Sequence, residues 1–65
     1  MFASAHFDGS IRLWNLRSGE LIHEIKQAHD DQVTCVRFSP DESLLISTSK
    51  DNSIRVFDTR TFKMQ

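Results

Sequence analysis

The feature that most constrains this chain is that it repeats itself. A shift of about 43 residues places Ser4 on Ser47, Asp8 on Asp51 and Ser10-Ile11-Arg12 on Ser53-Ile54-Arg55. Leu13 and Trp14 then fall on Val56 and Phe57, Asn15 on Asp58 and Arg17 on Arg60. A chain of 65 residues thus holds about one and a half copies of one unit. Units of this length are single supersecondary motifs that bury their apolar faces on their neighbours.

Within the unit, Ser39 to Asp58 reads as turn, strand, turn, strand. Ser39-Pro40-Asp41-Glu42 puts Pro at the second turn position, where its fixed φ fits. Leu44 to Ser49 has the length and side chains of a strand. Asp51-Asn52 tolerates positive φ and predicts a two-residue hairpin loop, with Ser53 to Asp58 as the returning strand. Ser39-x-x-Glu42 also fits a helix capping box. A helix from there would run through Ser47-Thr48-Ser49, residues that weaken helices by bonding their own backbone, so the strand is the better reading.

The rest of the chain follows the same pattern. Phe2 to His6 is a strand, Asp8-Gly9 a hairpin turn, and Ser10 to Leu16 the strand that carries Trp14. Arg17-Ser18-Gly19-Glu20 turns into a short polar strand, Leu21 to Ile25, and Gln27 to Gln32 is a polar loop. Val33 to Phe38 is apolar on both faces, with Val33 and Cys35 on one and Val36 and Phe38 on the other, which predicts two-sided burial. Thr59 to Gln65 turns and begins a last strand.

These marks resemble WD40-repeat sequence, and the resemblance covers essentially the whole chain. Ala28-His29 stands near the usual Gly-His. Val33-x-x-Val36-x-Phe38-Ser39-Pro40-Asp41 follows, and Ser53 to Asp58 ends in Phe-Asp where Trp-Asp is usual. The resemblance implies an all-β fold of antiparallel WD40 β-propeller blades, each with strands a to d from the channel outward. On that scheme residues 1–65 are a partial repeat region. Residues 1–26 supply strands b, c and d of one blade, and 33–65 supply a, b, c and the start of d of the next. A propeller ring takes at least four blades. The chain is therefore expected as a fragment, a truncated product or a subunit, completed by the remaining propeller blades or by other copies. Trp14, Ile11, Val36 and Phe38 are expected to lack a layer of neighbours, and exposed strand edges to promote association.

The family often holds each blade with a hydrogen-bonded tetrad of His, Ser or Thr, Asp and Trp. By position the resemblance offers His29, Ser47, Asp51 and Phe57 in the second unit, and Ser4, Asp8 and Trp14 in the first, whose His would lie upstream. Phe57 departs from the motif, because its ring has no N–H to give Ser47.

A Ser/His/Asp set also invites a catalytic reading. Ser47 sits mid-strand between apolar residues, without the Gly-rich elbow and oxyanion hole that nucleophilic catalysis needs, so no enzyme is expected. His6, His23, His29 and Cys35 lack zinc-finger spacing, and neither metal nor cofactor is expected. His23 reads as a half-exposed strand residue, and Cys35, the single cysteine, as a small buried hydrophobe in a reducing, cytoplasmic setting. Eight basic and nine acidic residues leave a net charge of −1, which disfavours nucleic acid. No apolar run is long enough for direct membrane insertion. Arg12 and Arg55 are expected to lay their stems along apolar surface at a blade edge. Arg17, Arg37 and Arg60, beside Asp30 and Asp31, are candidate contacts for other proteins.

The first copy narrows the resemblance. Ala5-His6-Phe7-Asp8, Ile11-Arg12-x-Trp14, Leu16-Arg17-Ser18 and Val56-Phe57-Asp58-Thr59-Arg60-Thr61 are similar to the propeller of the autophagy-related protein sixteen-like family. That resemblance implies a non-catalytic scaffold that recruits partners for lipidation of an autophagy modifier at membranes. The alternatives are a substrate-receptor or signalling adaptor of the same fold and, more distantly, a hydrolase.

Overall fold

The computed structural model describes residues 1–65, which form six strands and no helix. Strands β1 (Phe2–Ala5), β2 (Ile11–Trp14) and β3 (Leu21–Ile25) make one antiparallel sheet in that order. Strands β4 (Val33–Phe38), β5 (Leu44–Ser49) and β6 (Ile54–Asp58) make the second. A bridge from Phe57 to Met64 and a 2.7 Å bond from the Gln65 N–H to the Val56 carbonyl begin a further ladder. The all-β, antiparallel architecture of about one and a half repeats is the one expected.

The two registers obey the same shift as the sequence. Ser4 lies opposite Arg12, and Ser47 opposite Arg55; Phe2 lies opposite Trp14, and Leu45 opposite Phe57. Side chains alternate faces along each strand, so every face of the first sheet has its counterpart in the second. The inner faces bury one cluster of Ile11, Leu13, Ala28, Val33, Leu45 and Phe57. Ile11 is completely buried there, which corrects the expectation that it lacks neighbours. Val36 and Phe38 are partly buried against the same cluster, and Trp14 is half-buried.

Strand β4 departs from two-sided burial. Its pairing with β5 runs Val33 to Ser49 and then Cys35 to Thr48, so Thr34 is an extra residue in a bulge. The bulge resets the alternation. Val33, Val36 and Phe38 are directed to the core, while Thr34, Cys35 and Arg37 are exposed. Cys35 is thus an exposed thiol rather than a buried hydrophobe.

Three loops share one design that the turn reading caught only in part. Each holds Asp-x-Ser: Asp8-Gly9-Ser10, Asp41-Glu42-Ser43 and Asp51-Asn52-Ser53. In each, the Asp Oδ1 accepts both the N–H and the hydroxyl of the Ser two residues on. The residue between takes positive φ, at +86° for Gly9, +61° for Glu42 and +67° for Asn52. At the β5–β6 loop the Ser49 N–H bonds the Ser53 carbonyl at 3.3 Å, leaving Lys50, Asp51 and Asn52 in the loop. The two-residue loop expected at Asp51-Asn52 is therefore one residue longer, and Asp51 is not in the left-handed region. An Asp side chain that mimics a backbone turn favours this wider closure. Ser39 likewise opens a turn and not a helix, its carbonyl accepting the Glu42 N–H at 2.8 Å.

Candidate functional site: the junction between the two sheets

Successive antiparallel strands place connections at alternate ends of the sheets. The β1–β2, β3–β4 and β5–β6 connections share one end, and the β2–β3 and β4–β5 turns and residues 59–62 share the other. At the first end the loop of residues 26–32 is tied to both sheets. The His29 N–H bonds the Gly9 carbonyl at 3.1 Å, the Val33 N–H bonds the His6 carbonyl at 3.1 Å, and the Lys50 N–H bonds the Gln32 carbonyl at 3.0 Å. A Cβ at position 9 would strike the His29 carbonyl oxygen, so this contact and the φ of +86° both demand glycine.

The His29 ring passes from this loop into the core and is 1% exposed. Its Nε2 lies 2.7 Å from the Ser47 hydroxyl, and its Nδ1 lies 2.9 Å from the Ser53 hydroxyl and 3.3 Å from Asp51 Oδ2. A carboxylate only accepts, so the proton facing Asp51 sits on Nδ1, and in the neutral ring Nε2 accepts from Ser47. Asp51 Oδ2 also accepts the Asp30 N–H at 3.1 Å. Arg55 donates from Nη1 to the Ala28 carbonyl at 2.7 Å, so this arginine clamps the loop rather than lying idle at an edge. The arrangement joins loop, β5 and β6, and every buried side-chain polar atom has a partner. Ser47 is fully buried and both His29 nitrogens are engaged, a geometry suited to holding sheets together and closed to a substrate.

The first unit is built differently. Trp14 Nε1 donates to the Ser4 hydroxyl at 3.0 Å, and that oxygen is 2.6 Å from His6 Nε2. The repeat shift places Ser49, not a histidine, on His6, so the sequence comparison passed over it. Same-face spacing along β1 into the turn (Ser4, His6) was the signal available. Arg12 pairs through Nε with Glu24 Oε2 at 2.8 Å. Phe57 is buried in the core opposite Leu45, and without a ring N–H it leaves Ser47 to His29. Ser10 and Ser53, which the motif reading did not single out, are the closest partners of Asp8 and Asp51.

The remaining candidates do not converge. Asp30 and Asp31 lie at the His29 end, whereas Arg17 and Arg60 occupy equivalent turns at the opposite end, and Arg37 is exposed on β4 close to that opposite end. The Arg17 and Arg60 N–H groups bond Asn15 Oδ1 and Asp58 Oδ1 at 2.9 and 2.7 Å, so the turns are fixed while the guanidinium groups face water. His23 is exposed and stacks on Phe62 with ring centroids 4.2 Å apart.

Hydrogen bonding sets the titration of the three loop carboxylates. The Ser53 hydroxyl, first, and then the Asp30 and Ser53 N–H groups hold Asp51 far below the ordinary carboxylate range. The Ser39 and Ser43 hydroxyls hold Asp41 down at about 2, and the Ser10 hydroxyl and N–H lower Asp8. A carboxyl whose folded pKa is depressed stabilises the fold above its unfolded value, here 3.8, and loses that contribution as pH falls through the folded value. The contribution of these carboxylates is therefore expected to be fully present above about pH 5 and to fall progressively between about pH 4 and 2. Urea midpoints across that range check this, and a constant midpoint down to pH 2 would contradict it.

Comparison with known proteins places this geometry. A family profile described as "WD domain, G-beta repeat" matches residues 19–58. Autophagy-related protein 16 of Arabidopsis thaliana is 38% identical over 61 residues, 94% of this chain and 12% of that protein. Eukaryotic translation initiation factor 3 subunit I of Bombyx mori is 33% identical over 61 residues, 94% of this chain and 18% of that protein. Nuclear distribution protein nudF of Aspergillus flavus is 39% identical over 61 residues, 94% of this chain and 13% of that protein. The chain spans less than a fifth of the length of each of these relatives. With the profile covering more than half of its residues, and two sheets joined through His29, the chain belongs to the WD40-repeat family.

Proposed function

We propose that this chain is a non-catalytic interaction scaffold and contributes, within an autophagy-related propeller, to recruiting partners for modifier lipidation at membranes. WD40 domains are in general protein-interaction scaffolds. The observation that carries the reading is the burial of Ser47 and His29, with the partly exposed Asp51 engaged on the ring. The groups best able to do chemistry hold the sheets together, and the exposed, rigidly based turns are left to meet partners. The autophagy assignment draws on the His6-Phe7-Asp8 turn and the Asp58-x-Arg60-Thr61 ending, with the Arabidopsis relative in support. The partners are other proteins in the cytoplasm, met without nucleic acid and without insertion into the membrane.

The second reading, a substrate-receptor or signalling adaptor, is favoured by the unrelated names of the translation-factor and nuclear-distribution relatives. Charge reversal at each end separates the two. In cells expressing the protein, Arg17→Glu with Arg60→Glu, or Asp30→Lys with Asp31→Lys, should lower conjugation of the autophagy modifier to lipid without lowering protein abundance. Unchanged conjugation for both pairs would remove the autophagy reading. Retained capture of the same partners by both pairs would remove these turns as contacts.

A further inference from the structure

The turn that carries Arg60 repeats the turn that carries Arg17 bond for bond. The Gly19 N–H bonds the Asn15 carbonyl at 2.8 Å, and the Phe62 N–H bonds the Asp58 carbonyl at 2.7 Å. The Asn15 and Asp58 N–H groups bond the Glu20 and Lys63 carbonyls at 2.8 and 2.9 Å. Asn15 Oδ1 accepts the N–H groups of Arg17 and Ser18, as Asp58 Oδ1 accepts those of Arg60 and Thr61. Both turns need one residue in the left-handed region, at a φ of +73° for Gly19 and +59° for Phe62. Glycine adopts that conformation freely, whereas a bulky aromatic residue is strained there. A strained residue persists where its surroundings hold it. At Phe62 they do. Its ring is half-buried against the core cluster and stacks on His23 of the other sheet, with centroids 4.2 Å apart and planes 13° apart. His23 lies opposite the buried Leu13, on the face of the first sheet turned towards the second. Around Gly19, a Cβ would meet nothing within 4 Å, so the first turn has no such hold.

We propose that the stack of Phe62 on His23 is a latch, by which the outer strand of the first sheet holds the Arg60 turn of the second in a backbone state that the turn alone disfavours. Strand β3 is the edge of its sheet and the His23 side chain is exposed. A partner that engages the His23 ring therefore competes with Phe62, lets the turn relax to negative φ and moves Arg60. The value of moving Arg60 rests on the scaffold reading above; the latch itself does not.

Native-state amide exchange on the 65-residue chain tests it, with the Asp58 and Gln65 amides reporting the turn and those of β5 the whole fold. His23→Ala removes only an exposed ring, yet it should quicken exchange at Asp58 and Gln65 about threefold to tenfold, the worth of one aromatic pair, and leave β5 unchanged. Phe62→Ala, which keeps a Cβ at positive φ without the stack, should quicken the same two amides. Phe62→Gly loses the stack as well, but with the strain gone those amides should stay close to wild type. Adding His23→Ala to Phe62→Gly should then change nothing further. Unchanged Asp58 and Gln65 amides in His23→Ala would overturn the latch, and so would an effect of His23→Ala that survives in Phe62→Gly. Equal exchange, or equal loss of fold, in Phe62→Ala and Phe62→Gly would do the same, because strain would then not be what the stack offsets. Quickening that extends through β5 in His23→Ala would also overturn it, since the ring would then serve the fold as a whole.

Discussion

Leu45→Ala is expected to abolish cooperative folding of the 65-residue chain. Leu45 is completely buried, and it lies opposite Phe57 in the register that closes the core. Truncating a buried leucine costs about 2–5 kcal/mol, the transfer of the lost methyl groups plus the cavity left behind. A chain of this length has a total stability on the order of 3–10 kcal/mol. The cluster has six buried apolar residues, three of them fully buried, so no second core remains to carry the fold. Urea denaturation followed by circular dichroism, at one fixed chain concentration, should show the variant without a folded baseline. A loss below about 1 kcal/mol would mean that the sheets collapse onto the cavity and that the cluster is not the centre of stability.

His29→Ala should have the next largest effect, about 2–4 kcal/mol, from a different cause. The ring is 1% exposed and is the only side chain that reaches Ser47, Ser53 and Asp51 at once. Its removal leaves the fully buried Ser47 hydroxyl without its 2.7 Å partner and opens a cavity beside it. An unsatisfied buried polar group alone costs about 1–3 kcal/mol. His29→Phe keeps an aromatic ring in the space but bonds none of the three. If the hydrogen bonds hold the junction, Phe rescues little of the loss and amide exchange quickens in Val33–Phe38. If His29→Phe is as stable as wild type, His29 acts as a space-filler and the junction is held by packing.

Much of this was legible before any coordinates. The self-match at a shift of about 43 residues fixed the identity of equivalent strands, because a propeller unit must present the same faces to its neighbours each time. Alternation in Ile11 to Trp14 and in Ile54 to Phe57 announced the strands, and Asp8-Gly9 and Pro40-Asp41 announced the turns. Three Asp-x-Ser loops were equally visible at 8–10, 41–43 and 51–53, and the hydroxyls that hold their carboxylates are local in the chain.

What only the tertiary structure decided is where pattern and position part company. The bulge at Thr34 turned Cys35 outward, since one extra residue reverses a period of two and nothing in Val33 to Phe38 states which residue is extra. The charged residues grouped as one set of candidate contacts separated to opposite ends, because each strand between them reverses the chain. Local chemistry specified the strands and turns of this protein. The pairing of sheet on sheet specified which of its polar groups are buried, and so which serve as clamps and which remain free to meet a partner.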